Sequence, residues 1–323
     1  HQVVRRQRQM CIRDRALVVG NPADADCDVG PVIDPVAQAR ILQHIAQGKV
    51  LFQTRAPDTG TFVAPTVLAV QGIGDLSEEI FGPVLHLATF LAANLDQVID
   101  DINASGYGLT FGFHSRIDDR VQRIVSRINV GNLYINRNQI GAVVGSQPFG
   151  GNGLSGTGPK AGGPRYLPRF VAQNQLSDHG DMPPVLSVEQ VTSAFDAKPA
   201  HVKYEAEDLP GPTGESNRYV LIPKDRVLCM GQGAHARAEQ ARIMGCSAIA
   251  ATVAPCDLIK IAELEAVVYA GSDGKALRQA LSQREGPIVP LLMDEGFETW
   301  LLREQSICID TTAAGGNAAL LAT

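Results

Sequence analysis

No apolar run in the 323 residues approaches the roughly 18 that a membrane-spanning helix needs; the longest candidates, AVVYA and IVPLLM, are strand-length pieces. A positive surplus is missing as well. The formal net charge is -6, so there is no general affinity for nucleic acid phosphates, and an anionic partner needs a local site. The six cysteines (Cys11, Cys27, Cys229, Cys246, Cys256 and Cys308) are scattered, with no CxxC pair and no histidine pair at metal-ligand spacing. They read as structural thiols of a reducing cytoplasm rather than as a metal set. There is no Gly-x-Ser-x-Gly elbow and no HExxH motif, and the seven histidines have no triad-like neighbours. His86 and His114 stand in strand-like runs and read as satisfied core or edge residues. Internal repeats and low-complexity tracts are lacking too.

What is present is an ordinary globular composition, 45% hydrophobic and 19% charged, on a chain long enough for two domains. Residues 5 to 15, RRQRQMCIRDR, stand apart. This Arg-rich stretch is too short and too poor in Ser for a transit peptide, and RRQRQMCIRD matches one reading frame of a common library-preparation adapter. Residues 1–15 are therefore read as a non-native leader ahead of a gene whose start is lost. From 16 to 175, strands and helices alternate: VAQARILQHIAQG (36–48) and LDQVIDDINASGYG have helical spacing, while LTFGFHS, NLYIN and AVVG read as short buried strands. Residues 176–218 are irregular and rich in Pro and acids, as a linker is. From 219 to 323, RVLCMG, SAIAAT, AVVYAG, PIVPLL and SICIDT are strand-like runs separated by HARAEQARIM and DGKALRQALSQRE, which read as helices. The expectation is an α/β chain with a second, smaller α/β domain.

Three stretches are candidates for chemistry. EEIFGP (78–83) is either a solvated acidic helix end before a chain reversal, or a carboxylate placed to accept two hydrogen bonds from a diol such as a ribose. QPFGGNGLSGTGPKAGGP (147–164) is dense in glycine, which signals tight turns or backbone approaching a ligand. Its GNGLSG follows no clear strand and Pro159 interrupts the helix a dinucleotide turn needs, so it reads either as a flexible surface loop or as a loop whose amides, with Lys160 nearby, hold a small carboxylate. RVLCMGQGAHARAEQARIMG (226–245) is strand, GxGxxA turn and helix, with Asp257 further on. That is a dinucleotide pattern shared by any tight strand-to-helix connection.

Taken in order, VGNPADADCDVGPVID, GTFVAPTVL, EEIFGPVLH, INASGYGLTFG, GNLYINRN and QPFGGNGLSGTGPKAGGP resemble the C-terminal half of an aldehyde dehydrogenase, in its glutamate-semialdehyde (1-pyrroline-5-carboxylate) branch. GPTGESNRY, REGPIVPLL and DTTAAGGNAALLA resemble the end of the bacterial proline utilization A family. The resemblance implies half of an aldehyde dehydrogenase catalytic domain followed by a smaller Rossmann-like α/β domain without catalytic duty, and a tail that acts as a lid. It implies NAD-dependent oxidation of glutamate semialdehyde to glutamate in proline catabolism: a cysteine thiolate attacks the aldehyde, hydride leaves to NAD and water releases the acyl group. FAD belongs to a proline dehydrogenase region outside this sequence. Carried over residue by residue, Glu79 holds the nicotinamide ribose and Phe81 lies beside the nicotinamide. Phe149 lines the aldehyde pocket, Gly162 and Gly163 grip the substrate's α-carboxylate, and Phe170 packs on its aliphatic part. Ser155 lies in the same loop without an assigned contact. The family's nucleophile lies well upstream of the VGNP turn, and Cys11 is too close to Gly20, so the catalytic Cys and the general-base Glu are expected in a missing upstream part and the chain alone is expected to be inactive. The resemblance further implies a cytoplasmic homo-oligomer, with some members attached peripherally to the inner membrane. A non-catalytic scaffold and an aldehyde dehydrogenase of other specificity are the competing readings.

Overall fold

A computed structural model describes residues 17–115, 117–139, 142–156, 158–196 and 206–311. The leader 1–15, with Cys11, and the tail from 312 lie outside the described residues. The chain divides into two compact units, residues 1–105 and 106–323.

The first unit is built around helix α1 (Pro35–Gln47). The Asp34 carboxylate accepts a hydrogen bond from the Ala37 amide at 2.7 Å and Pro35 presets the first turn, an N-cap worth about 1 kcal/mol. Ile41 and Ile45, four residues apart on one face, are buried with Val63 against Val32, Ile80 and Val84. Strand β1 (Lys49–Gln53) pairs antiparallel with β2 (Thr66–Ala69), and β2 pairs parallel with β3 (Val84–Leu87). Helix α2 (Leu95–Ala104) ends the unit.

In the second unit, β4 (Tyr107–Gly108) pairs with β7 (Asn152–Gly153). A five-stranded sheet runs β5 (Thr110–Phe113), β6 (Asn132–Ile135), β14 (Leu302–Asp310), β9 (Glu215–Pro223), β8 (Glu207–Leu209). Its β14 is parallel to β6 and antiparallel to β9. Helix α3 (Asp118–Arg127) connects β5 to β6, burying Val121 and Ile124.

The other sheet is wholly parallel, in the order β11 (Ser247–Ala250), β10 (Arg226–Gly231), β12 (Leu264–Ala270), β13 (Leu291–Leu292). Along β10, Leu228 and Met230 enter one core with Val191 and Phe195, while Val227 and Cys229 enter the opposite core with Ala234, Ala238 and Ala241. Burial on both faces is what the unbroken apolar run VLCM encodes. The alanines lie at i, i+4 and i+7 of helix α5 (Ala234–Ile243), so the helix approaches the sheet closely. Helix α6 (Lys275–Leu281) buries Leu277, Ala280 and Leu281.

Three local readings are corrected. AVVG (142–145) is a turn: Val143 O accepts from the Ser146 and Gln147 amides, and Val144 is 87% exposed, because no strand among the described residues offers it a ladder. PIVPLL contributes only Leu291 and Leu292 as strand, since Pro290 has no N–H to give. Within the irregular stretch, SVEQ opens helix α4 (Val188–Asp196): Ser187 Oγ accepts from the Gln190 amide at 3.3 Å, and Gln190 Oε1 accepts from the Ser187 amide at 2.9 Å. This reciprocal capping box sends Val191 and Phe195 fully into the core. No helix among the described residues is long and apolar enough to cross a membrane.

Candidate active site

In the first unit, EEIFGP is bent, extended chain rather than a helix end, and its side chains alternate. Ile80 turns inward onto the α1 core, which leaves Glu79 exposed on one side of it and Phe81, 85% exposed, on the other. A Cβ on Gly82 would lie 2.5 Å from Ile41 Cδ1, so a larger residue there would displace the tip of that core side chain. The two acids part company. Glu78 pairs with Arg40 at 2.8 Å, and the same guanidinium donates to the Glu79 carbonyl. The Glu79 carboxylate has no partner among the described residues, and it shares an open groove with Phe81, Pro31, Ile33 and Ala37. An acceptor-only group beside an aromatic ring fits a ribose diol next to a flat heterocycle.

A contact beside this groove went unnoticed in the sequence. His44 on α1 and His86 on β3 meet Nε2 to Nε2 at 2.8 Å, with their rings edge to face. Burial, then the His44 charge, holds the His86 imidazole below its usual value of 6.5. The helical stripe through His44 was the available signal.

In the second unit the glycine-rich stretch is clamped to the five-stranded sheet. Phe149 and Ala161 exchange backbone hydrogen bonds of 3.0 and 2.8 Å, closing the loop between them. Much of the glycine density serves this closure, as a Cβ on Gly151 or Gly156 would collide with backbone of the opposite limb. Ser155 Oγ accepts from the Gly108 amide at 3.0 Å, tying the loop to β4.

Lys160 is turned inward, not toward a ligand of the bend: at 2% exposure its Nζ donates to Asn132 Oδ1 at 2.9 Å and to the Gly150 carbonyl. Asn132 also accepts from the Gly150 amide and donates to Pro148 O, while Glu304 Oε2 accepts from the Lys160 amide at 2.7 Å. Burial pushes the Lys160 ammonium down to about 7, against the opposing pull of Glu304. On this base sits the bend. Gly162 takes φ +69°, a conformation open to glycine, and its amide has no partner among the described residues. The Gly163 amide is bonded to Lys160 O at 3.1 Å. Phe149 is 37% exposed alongside, and Phe170, 73% exposed, meets Tyr166 edge to face at 5.4 Å. Phe149, Gly162 and Gly163 thus share one clamped bend, Phe170 lies on the turn that follows, and Glu79 and Phe81 belong to the first unit.

The GQGAHA turn has the geometry of a dinucleotide turn, with Gly231 and Gly233 at positive φ ahead of α5. Its amide position is already filled. The Gly233 amide donates to Asp181 O at 3.1 Å, and Arg237 donates to Ser177 O and Gln232 O. Asp257 pairs with Lys260 at 2.8 Å instead of standing free for a ribose.

With this fold and bend on view, the chain belongs to the aldehyde dehydrogenase family, whose family model matches residues 7–175. The chain is 36% identical to the bifunctional protein PutA of Salmonella typhimurium over 94% of its own length and 28% of the relative's. It is 39% identical to the 1-pyrroline-5-carboxylate dehydrogenase of Bacillus subtilis, over 47% of this chain and 31% of that one. The structure of proline utilization A from Corynebacterium freiburgense aligns with a TM-score of 0.69 at 23% identity, over 94% of this chain and 34% of that one, a likeness of fold. The chain therefore spans under a third of the length of the curated relatives it matches.

Proposed function

We propose that the chain supplies the substrate-anchor and nicotinamide-ribose contacts of an NAD-dependent L-glutamate γ-semialdehyde (1-pyrroline-5-carboxylate) dehydrogenase of proline catabolism. The observation that carries this reading is the unpartnered Gly162 amide in a bend held rigid from below by Lys160, Asn132 and Glu304. A fixed backbone N–H is a carboxylate receptor that loses little freedom on binding. The Gly162 amide holds the α-carboxylate, Gly163, whose own amide is taken by Lys160 O, shapes the bend beside it, Phe149 and Phe170 flank the aliphatic carbons, Glu79 accepts from the nicotinamide ribose and Phe81 flanks its ring. NAD, when bound, accepts the hydride.

The nucleophile and general base come from elsewhere in the full protein. Among the described cysteines, burial pushes the Cys229 and Cys246 thiols up to about 12 and Cys308 to about 11, the reverse of an activated thiolate. Cys27 donates its S–H to Val29 O, and Cys256 is exposed. The isolated chain accordingly has no turnover, and the enzyme works as a cytoplasmic homo-oligomer. The test is calorimetry of the purified chain with glutamate: binding that disappears in Gly163→Phe supports the anchor, and no heat with the unaltered chain sinks it. Glutamate semialdehyde oxidation by the chain alone would overturn the assignment of the nucleophile.

A further inference from the structure

Behind the anchor bend, a small cleft of about 80 Å³ opens to solvent between the loop from Gly151 to Gly156 and the start of β14. Four side chains on its wall are cationic (Lys160, Arg169, Lys224 and Arg303), against one carboxylate, Glu304. That carboxylate is committed to the Lys160 amide at 2.7 Å and lies 3.9 Å from Arg165. A second acid, Glu265, pairs with Arg303 at 3.7 Å and also acts on Lys224.

The cations are held in a setting that disfavours their charge. Burial lowers Lys160 to about 7 and Arg169 to about 10, and pushes Lys224 down as well. Nη1 of Arg169 and Nε of Arg303 are buried without a hydrogen-bond acceptor among the described residues. Arg169 is held flat, its guanidinium carbon 3.2 Å from the centroid of the Trp300 ring. One face of the fork is thus taken by the indole and Nη2 donates to Thr299 O at 3.4 Å, which leaves Nη1 for a charge-assisted hydrogen bond. Part-buried cations that outnumber the acids lining the cleft and keep unused donors are stabilised by an anionic ligand.

We propose that this cleft binds a small oxyanion, the phosphate or carboxylate group of a metabolite, between Arg169, Lys224 and Arg303. None of these side chains is used by the proposed aldehyde site. Stacking on Trp300 pre-orders Arg169, so binding loses less side-chain freedom than at a free surface arginine.

Trp300 is the sole tryptophan of the sequence, so its emission reports on this cleft alone. The chain is titrated with inorganic phosphate and, separately, with glutarate, against sodium chloride at matched ionic strength. The expected result is a saturable change in emission with at least one of the two anions, the tighter one identifying phosphate or carboxylate as the source. Lys224→Met and Arg169→Gln each weaken it at least tenfold, and Lys224→Arg restores it. Lys224→Met keeps the reading intact where Arg169→Gln alters the indole's surroundings, and far-UV circular dichroism verifies that each variant is folded. A response that chloride reproduces, or folded variants that bind as the unaltered chain does, overturns the proposal.

Discussion

Gly162 and Gly233 both sit at φ +69°, each at the head of a glycine-rich turn, yet the two turns end differently. At Gly233 the amide is met by Asp181 O, and Arg237 fastens the covering segment through Ser177 O. At Gly162 the amide is bare, while the support lies underneath, in side chains from β6 and β14. One turn uses its donor to hold the fold together. The other is held by the fold so that its donor stays available. A glycine pattern therefore marks a backbone shape, and the neighbours decide whether that shape binds anything.

The largest perturbation of this contrast is Asn132→Ala. It removes the acceptor shared by Lys160 Nζ and the Gly150 amide and the donor to Pro148 O, leaving the buried amine with the Gly150 carbonyl alone, so a loss of about 3–4 kcal/mol is expected in denaturant unfolding, with glutamate binding abolished. Next comes Gly233→Ala. Its Cβ would lie 2.5 Å from His179 O in addition to the positive φ, for a loss of roughly 3 kcal/mol and no effect on glutamate affinity in calorimetry. Gly162→Ala meets nothing nearer than Val144 at 3.7 Å and costs only the backbone strain, about 1 kcal/mol, yet it is the one of the two glycine variants that weakens glutamate. Equal effects of both on glutamate would erase the distinction.

Ser187→Ala removes the α4 cap for about 1 kcal/mol, read as a lower Tm, and leaves both turns as they were. A further effect is one of pH. The folded Lys160 value of about 7 lies below its ordinary 10.5, so between these limits the unfolded chain binds more protons and stability rises with pH. Amide protection in the anchor bend, corrected for intrinsic exchange, is expected to increase from pH 7 to 9, while the Gly233 turn stays flat.

Much of this was readable in the sequence, and what escaped has a physical pattern. Helix α1 was expected at 36–48 and spans Pro35–Gln47, because its cap, its apolar spacing and its glycine stop are all local. AVVG misled because four apolar residues do not reveal whether a partner strand exists. The α4 helix was hidden by its polar, Pro-rich surroundings, although SVEQ carried the capping signature. The anchor motif was visible, but its support was not: Glu304 and Lys160 are 144 residues apart, and nothing in either neighbourhood names the other. The inward turn of the Lys160 side chain is set by Asn132 Oδ1 and the Gly150 carbonyl. Separation along the chain also hid the His44 and His86 contact, which joins residues 42 apart.

Strand β14 lies between β6 and β9, and Glu304 on it meets the backbone of the bend. During synthesis, β6 therefore waits with one edge bare until residues 302–310 have left the ribosome, some 170 residues later. The bend proposed to take the carboxylate is completed only once β14 has docked, and a chain interrupted before residue 302 carries an open strand there.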